Sequence, residues 1–268
     1  MAFLAVPGPF DFALTTERFR TFGLDYVNLW HDGGLRRVVA GREVRIEAAP
    51  GGVDVEPLDA VTEPAVQHFL GLAFDLDAFA AWAAADEVLA GLVARLAGFR
   101  PVQVTDPFEM LVGAITAQQV SLFSAQATEN RFVARFGVRV GEAYAYPERE
   151  RVARATETEL VGLGYSRRKA EYVVGLARSD LDLDGLAALG DEEVKSRLVA
   201  LRGIGEWTAD WFLARHLGRP HAWPWGDLVL RKAVALLYRG LDAREARERF
   251  HPHENLSAHH LLLAQRVP

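Results

Sequence analysis

The stretch Leu201-Arg202-Gly203-Ile204-Gly205-Glu206-Trp207-Thr208-Ala209 decides the fold. It alternates hydrophobic residues with glycine and sits between two segments of helical spacing, Asp191 to Leu201 and Glu206 to Leu217. Glycines permit a tight turn and leave backbone N–H groups bare where the next helix begins, and the helix dipole favours an anion there. A phosphate would fit such a turn, although the same pattern can also join two helices without holding anything.

Downstream of the second segment comes a turn-rich loop, Gly218-Arg219-Pro220-His221-Ala222-Trp223-Pro224-Trp225-Gly226, followed by Asp227-Leu228-Val229-Leu230-Arg231-Lys232-Ala233. Asp227 is placed to cap an apolar helix over Leu228 to Tyr238. Upstream, Asp106-Pro107-Phe108-Glu109 combines an N-cap acid, a first-turn proline and a third-position glutamate. The helix it opens presents Phe108, Leu111, Val112 and Ile115 on one face. Helical spacing also predicts helices over Glu157 to Gly162 and Arg167 to Ala177. From about Glu63 onward no strand alternation is evident. The first sixty residues differ, with alternation in Val44-Arg45-Ile46-Glu47, a turn at Ala49-Pro50-Gly51-Gly52, and Val53-Asp54-Val55-Glu56-Pro57 after it. With a helical segment around Thr15 to Phe22, this predicts a small α+β unit over residues 1–62. The rest, 63–268, is expected to be helical.

The chain has 268 residues, half of them hydrophobic and a quarter charged, as in ordinary globular proteins. It has no cysteine, which excludes disulfides, thiolate nucleophiles and Cys-ligated zinc or iron–sulfur clusters. The first residues carry no basic region and are broken by Pro7 and Pro9, and no apolar run nears the ~20 residues of a membrane span. An intracellular, cytoplasmic protein without membrane contact is expected. The net charge of −6 at first disfavours a polyanionic partner. Its distribution weakens that objection, because residues 1–95 carry −7 and residues 96–268 carry +1.

Taken together, the glycine turn, the Gly/Pro-rich loop and the Asp opening the next helix resemble the helix-hairpin-helix DNA glycosylase superfamily (HhH-GPD). Gly203-Ile204-Gly205-Glu206-Trp207-Thr208-Ala209-Asp210-Trp211 is most similar to the bacterial 3-methyladenine DNA glycosylase II branch. So are Asp106 to Ser121 and Gly162 to Ala170. The resemblance runs from about Leu89 to Ala235. It implies a mainly α fold: two helical lobes around a central cleft, plus a small N-terminal α+β domain. One lobe would hold the hairpin, about residues 105–227, and the other residues 63–104 with 228–268.

The resemblance further implies Asp227 as the catalytic carboxylate. A helix N-terminus favours an anion there, and cleavage through an oxocarbenium-like sugar needs a negative charge more than a proton acceptor. Superfamily members that also nick the strand place a Schiff-base lysine where this chain has Trp207. A monofunctional hydrolase acting on damaged double-stranded DNA is therefore expected, without cofactor or obligate protein partner. DNA contacts are expected at Gly203, Gly205 and Thr208, at Gln118 and Gln119 in the loop that fills the gap left by a flipped base, and at Lys169 and Arg167. Two ordinary helix-end glutamines are the lesser alternative for Gln118 and Gln119, and a solvated charge cluster explains Lys169 and Arg167 nearly as well.

Four of the six tryptophans, Trp207, Trp211, Trp223 and Trp225, fall within nineteen residues. Trp207 and Trp211 are four apart and share a helix face, and the other two flank the loop into Asp227. Indole faces suit a cationic alkylated purine such as 3-methyladenine or 7-methylguanine, at ~0.5–2 kcal/mol per contact. These four are expected in the base pocket, with one or two of them open to a core role instead. His253, in His251-Pro252-His253-Glu254, falls near the position of a pocket tryptophan in the family and is expected to replace it. The histidine spacing shows no third ligand, so no metal site is expected. The competing readings are a glycosylase for oxidised or deaminated bases and a non-enzymatic DNA-binding module.

Overall fold

The computed structural model describes residues 1–267. Strand β1 (Ala2–Ala5) is followed by short helices α1 (Phe12–Thr15) and α2 (Arg18–Thr21), then β2 (Leu29–His31), β3 (Gly34–Val39), β4 (Arg42–Ala49) and β5 (Gly52–Glu56). The helical segment expected over Thr15 to Phe22 is thus two separate turns. The five strands form one antiparallel sheet in the order β1-β5-β4-β3-β2. Alternation puts Val44, Ile46, Val53 and Val55 on the buried face, and Ile46 lies opposite Val55 across β4 and β5. That face is covered by Phe12, Phe19 and helix α3 (Thr62–Phe69) through Val66 and Phe69. The sheet's core therefore draws on a helix lying beyond residue 62.

Helices α4 (Leu76–Ala83) and α5 (Glu87–Arg95) lead to α6 (Pro107–Ala117). The Asp106 carboxylate caps α6 as expected, accepting from the amides of Phe108 at 2.7 Å and Glu109 at 3.0 Å. Glu109 does not reach back to complete a capping box. It is buried and paired at 2.9 Å with Arg37 of β3, itself buried, which locks the sheet to the start of α6. The four expected apolar residues of α6 are buried, but so are Met110, Ala114 and Thr116, so the helix is enclosed on nearly every side.

After α7 (Leu122–Phe136) comes a β-hairpin, β6 (Val138–Val140) with β7 (Ala143–Ala145), where no strand was expected. Three-residue strands are too short for alternation to announce them. Contacts with the N-terminal sheet hold this hairpin: Glu43 accepts from the amides of Glu142 and Ala143 at 2.7 and 2.9 Å, and the Tyr26 and Tyr144 rings stack at 5.2 Å.

The remaining helices are α8 (Arg149–Ala153), α9 (Glu157–Gly162), α10 (Arg167–Arg178), α11 (Asp191–Val199), α12 (Glu206–Arg215), α13 (Leu228–Leu237) and α14 (Glu254–Leu263). Helix α9 has the expected limits, and α10 to α13 differ from theirs by one or two residues at the C-terminal end. One continuous apolar core runs from α4 through α14. In it α6 packs on α7, α10 and α12, while α14 packs on α5 and α13, which makes two helical lobes. No described helix is long and apolar enough to cross a membrane.

Candidate active site

Between the lobes lies a cleft of about 1160 Å³, with Asp227 on its wall. Asp227 caps α13: its Oδ1 accepts from the amides of Val229 at 2.9 Å and Leu230 at 3.1 Å. Its Oδ2 accepts from Trp207 Nε1 at 3.1 Å and Trp211 Nε1 at 3.2 Å. Four donors thus occupy the four lone-pair directions of one carboxylate. The backbone approaching it is fixed as well. Asn255 of α14 donates through Nδ2 to the carbonyls of Ala214 and Arg219, at 3.1 and 2.9 Å, and its amide bonds Pro220 O at 3.0 Å.

The hairpin behind this wall needs its first glycine for two reasons. Gly203 has φ +90°, and a Cβ there would run into the Tyr172 ring. Gly205 has open space at the Cβ position and stands as N-cap of α12. The first amides of α12, those of Glu206, Trp207 and Thr208, have no acceptor among the described residues. Gln118 is half-buried and donates from Nε2 to Gly203 O at 3.0 Å, so it braces the hairpin. Gln119 is exposed at the cleft edge with φ +54°, a strained backbone for a residue other than glycine. Exposed Val120, Leu122 and Phe123 follow it in the chain.

Several expected site residues lie elsewhere. Trp223 is buried, donates to Ala243 O at 2.6 Å and packs on Phe250 at 5.0 Å, so it belongs to the core. Trp225 is half-buried under Arg244 and borders a small depression with Asp191 and Lys195, away from the cleft. His253 packs on Phe79 and Trp82, at 5.6 and 5.2 Å, and does not line the cleft. The Thr208 side chain is buried and does not face solvent. Lys169 bonds Thr116 O at 2.8 Å, closing the end of α6, whereas Arg167 is exposed at the start of α10.

The cleft also holds residues that sequence reasoning missed. Arg215 lies over the Trp211 ring at 3.9 Å, taking the face expected for a cationic base. Burial lowers its pKa to about 9, so it remains a cation at neutral pH. Its spacing could have revealed it, since Trp207, Trp211 and Arg215 recur every four residues on α12. His259, not His253, meets Trp211 edge-on at 5.6 Å. Burial, with Arg215 nearby, pushes its pKa down to about 3, so the imidazole is neutral. No spacing signal marks His259, because every residue of α14 is buried. On the opposite wall Glu129 faces the cleft beside Tyr146, whose hydroxyl lies 3.3 Å from Oε1. Burial, with Asp25 and Glu109 nearby, raises the Glu129 pKa to about 8.

Residues 112–252 match the family model described as HhH-GPD superfamily base excision DNA repair protein. A DNA-3-methyladenine glycosylase of Bacillus subtilis (strain 168) is 32% identical over 180 residues, covering 64% of this chain and 59% of that protein. The DNA-3-methyladenine glycosylase 2 of Escherichia coli (strain K12) is 31% identical over 138 residues, 48% of this chain and 49% of that one. The matches thus span about half to three-fifths of the length of these curated relatives. Among solved structures, the 3-methyladenine DNA glycosylase from Archaeoglobus fulgidus superposes with a TM-score of 0.88 at 30% identity, over 99% of this chain and 98% of that one.

Proposed function

The chain belongs to the HhH-GPD superfamily of base excision DNA repair proteins, and on that premise we propose that it is a DNA glycosylase that hydrolyses the N-glycosidic bond of alkylated bases, with Asp227 as its catalytic carboxylate. The observation that carries the reading is the set of four N–H donors converging on Asp227 at the cleft wall. A carboxylate held by four N–H donors is oriented to stabilise a developing positive charge on an oxocarbenium-like sugar, and that stabilisation needs no free lone pair. The C1′–N bond breaks with its electron pair going to the alkylated cationic base, which leaves as a neutral molecule without prior protonation; water then adds to the sugar cation and releases a proton to solvent.

The enzyme is monofunctional in this reading. Trp207 stands at the lysine position of the strand-nicking members, and among the described residues the cleft lining includes arginines but no lysine. DNA would bind with a phosphate at the bare amides of Glu206, Trp207 and Thr208 and with Gln119 and its apolar neighbours filling the gap left by the flipped nucleotide.

Two features favour a second reading, a glycosylase for deaminated or oxidised bases. Arg215 occupies the Trp211 face, and Glu129 offers a neutral carboxyl able to donate and accept hydrogen bonds. Base release from methylated DNA, compared with duplexes carrying hypoxanthine, uracil or 8-oxoguanine, decides between the two. Release of 3-methyladenine and 7-methylguanine, with no nick and no borohydride-trapped adduct, is expected. Faster release of a neutral lesion base would favour the second reading, and a trapped adduct would overturn the monofunctional assignment.

A further inference from the structure

On the far side of the loop that leads to Asp227, three side chains converge outside the cleft. His221 comes from the loop, His251 from the turn before α14, and Glu254 from the first position of α14. Glu254 Oε2 lies 3.1 Å from His221 Nδ1, and Glu254 Oε1 lies 3.2 Å from His251 Nδ1. The two imidazoles stack at 5.0 Å, tilted by 23°. One nitrogen from each histidine and a carboxylate oxygen all fall within 4.8 Å of one another.

We propose that His221, His251 and Glu254 form a binding site for one divalent transition-metal ion of the zinc type, which staples the Asp227 loop to α14. Zinc bonds of about 2.0–2.2 Å to nitrogen and oxygen place neighbouring ligand atoms roughly 3.0–3.5 Å apart. Each histidine Nδ1 lies in that interval from one oxygen of Glu254, the two oxygens being different, and the three ligand atoms all fall within 4.8 Å of one another. Two imidazoles with one carboxylate suit zinc, nickel or copper rather than calcium or magnesium, which favour oxygen sets. Charge points the same way. The Glu254 carboxylate is buried, and among the described residues these two imidazoles are its only ion-pair partners. A cation between the three groups supplies the countercharge that burial demands. Both histidines are exposed, so solvent has access to a fourth coordination position.

The site is also held in place before any ion arrives. Asn255 ties α14 to Pro220, the residue before His221, and the His253 amide bonds Phe250 O at 2.7 Å, fixing the turn that carries His251. Ligands fixed in this way lose little freedom on binding. His253 itself points to Phe79 and Trp82 and takes no part. Loop and helix meet here without any residue of the Asp227 wall, so metal binding and base excision are separable.

The test is zinc uptake by the untagged full chain after dialysis against a chelator, followed in competition with a chromophoric zinc indicator, together with melting temperature. One zinc per chain and a higher melting temperature with metal are expected. His221→Ala and His251→Ala should each weaken uptake by about tenfold or more and abolish the thermal shift. Each substitution also removes one of the two partners of the buried Glu254 carboxylate, so the metal-free melting temperature should fall and the zinc-induced shift is read against each variant's own metal-free value. His253→Ala, and His31→Ala at another histidine facing carboxylates, should bind zinc as the parent does. No uptake at stoichiometric zinc, or uptake that survives His221→Ala, would overturn the proposal and leave a hydrogen-bonded trio.

Discussion

Trp207 and Trp211 direct their indole N–H groups at Asp227, whereas Trp223 and Trp225, only twelve residues beyond Trp211 at the nearest, lie away from the cleft. The first pair is carried by one helix, where a spacing of four fixes a shared face. The second pair sits in a loop whose turns, with Trp225 N bonded to Trp223 O at 2.8 Å and Asp227 N to Pro224 O at 2.8 Å, redirect each side chain separately. Neighbourhood in sequence is thus informative on a helix and nearly uninformative in a loop. The two pairs should respond differently to substitution, one in rate and the other in stability.

The largest effect expected is on stability, at Trp223. Trp223→Ala removes a fully packed ring and leaves Ala243 O without its donor, and should cost about 3–5 kcal/mol by denaturant unfolding. The excision rate per folded molecule should hold. A stable Trp223→Ala protein with impaired excision would erase the contrast between the pairs.

Asp227→Asn should act in the opposite sense. Asparagine caps a helix about as well as aspartate, so folding should survive, while single-turnover excision falls by ~10²–10³, roughly 3–4 kcal/mol. Full activity in the folded variant would sink the catalytic role. A smaller loss is expected of Trp211→Phe, which keeps an aromatic ring under Arg215 but removes one donor to the carboxylate. A hydrogen bond to a charged group contributes about 1.5–3 kcal/mol, so excision should slow by about ten- to a hundredfold. Unchanged rates would reduce the indole contacts to packing.

The smallest effect concerns the opposite wall. Glu129 has its pKa raised from 4.5 to about 8, so the folded state holds a proton that the unfolded chain has released over that interval. Its contribution to stability is complete below about pH 4.5 and is lost as pH rises through 8. Glu129→Gln should therefore lessen the fall in melting temperature between pH 5 and 9. A parallel fall in parent and variant would show that Glu129 does not titrate there.

Much of this architecture is readable from local chemistry. Capping logic places Asp106 and Asp227, and helical phase puts Trp207 and Trp211 on one face. The glycines were read correctly as a turn, but the ring of Tyr172, which explains why Gly203 admits nothing larger, comes from a different helix. Long-range partners account for the misses. Arg37 diverts Glu109 from its expected cap, and Glu43 holds β6 and β7 against the sheet. Thr116 O occupies Lys169. His259 rather than His253 reaches the cleft because of how a wholly buried helix is rotated, which no amphipathic pattern records. The third ligand of the histidine cluster, His221, lies thirty positions from His251 and becomes its neighbour only through the loop anchored by Asn255.

That anchor bears on how the protein is made. At roughly 5–20 residues per second of synthesis, Asn255 leaves the ribosome a few seconds after Asp227. Until it docks, the loop lacks the bonds that fix its path. The nascent chain can therefore complete its hairpin before the bonds that fix the path of the loop into Asp227 are available, so the catalytic wall is the last part of the cleft to be set in place.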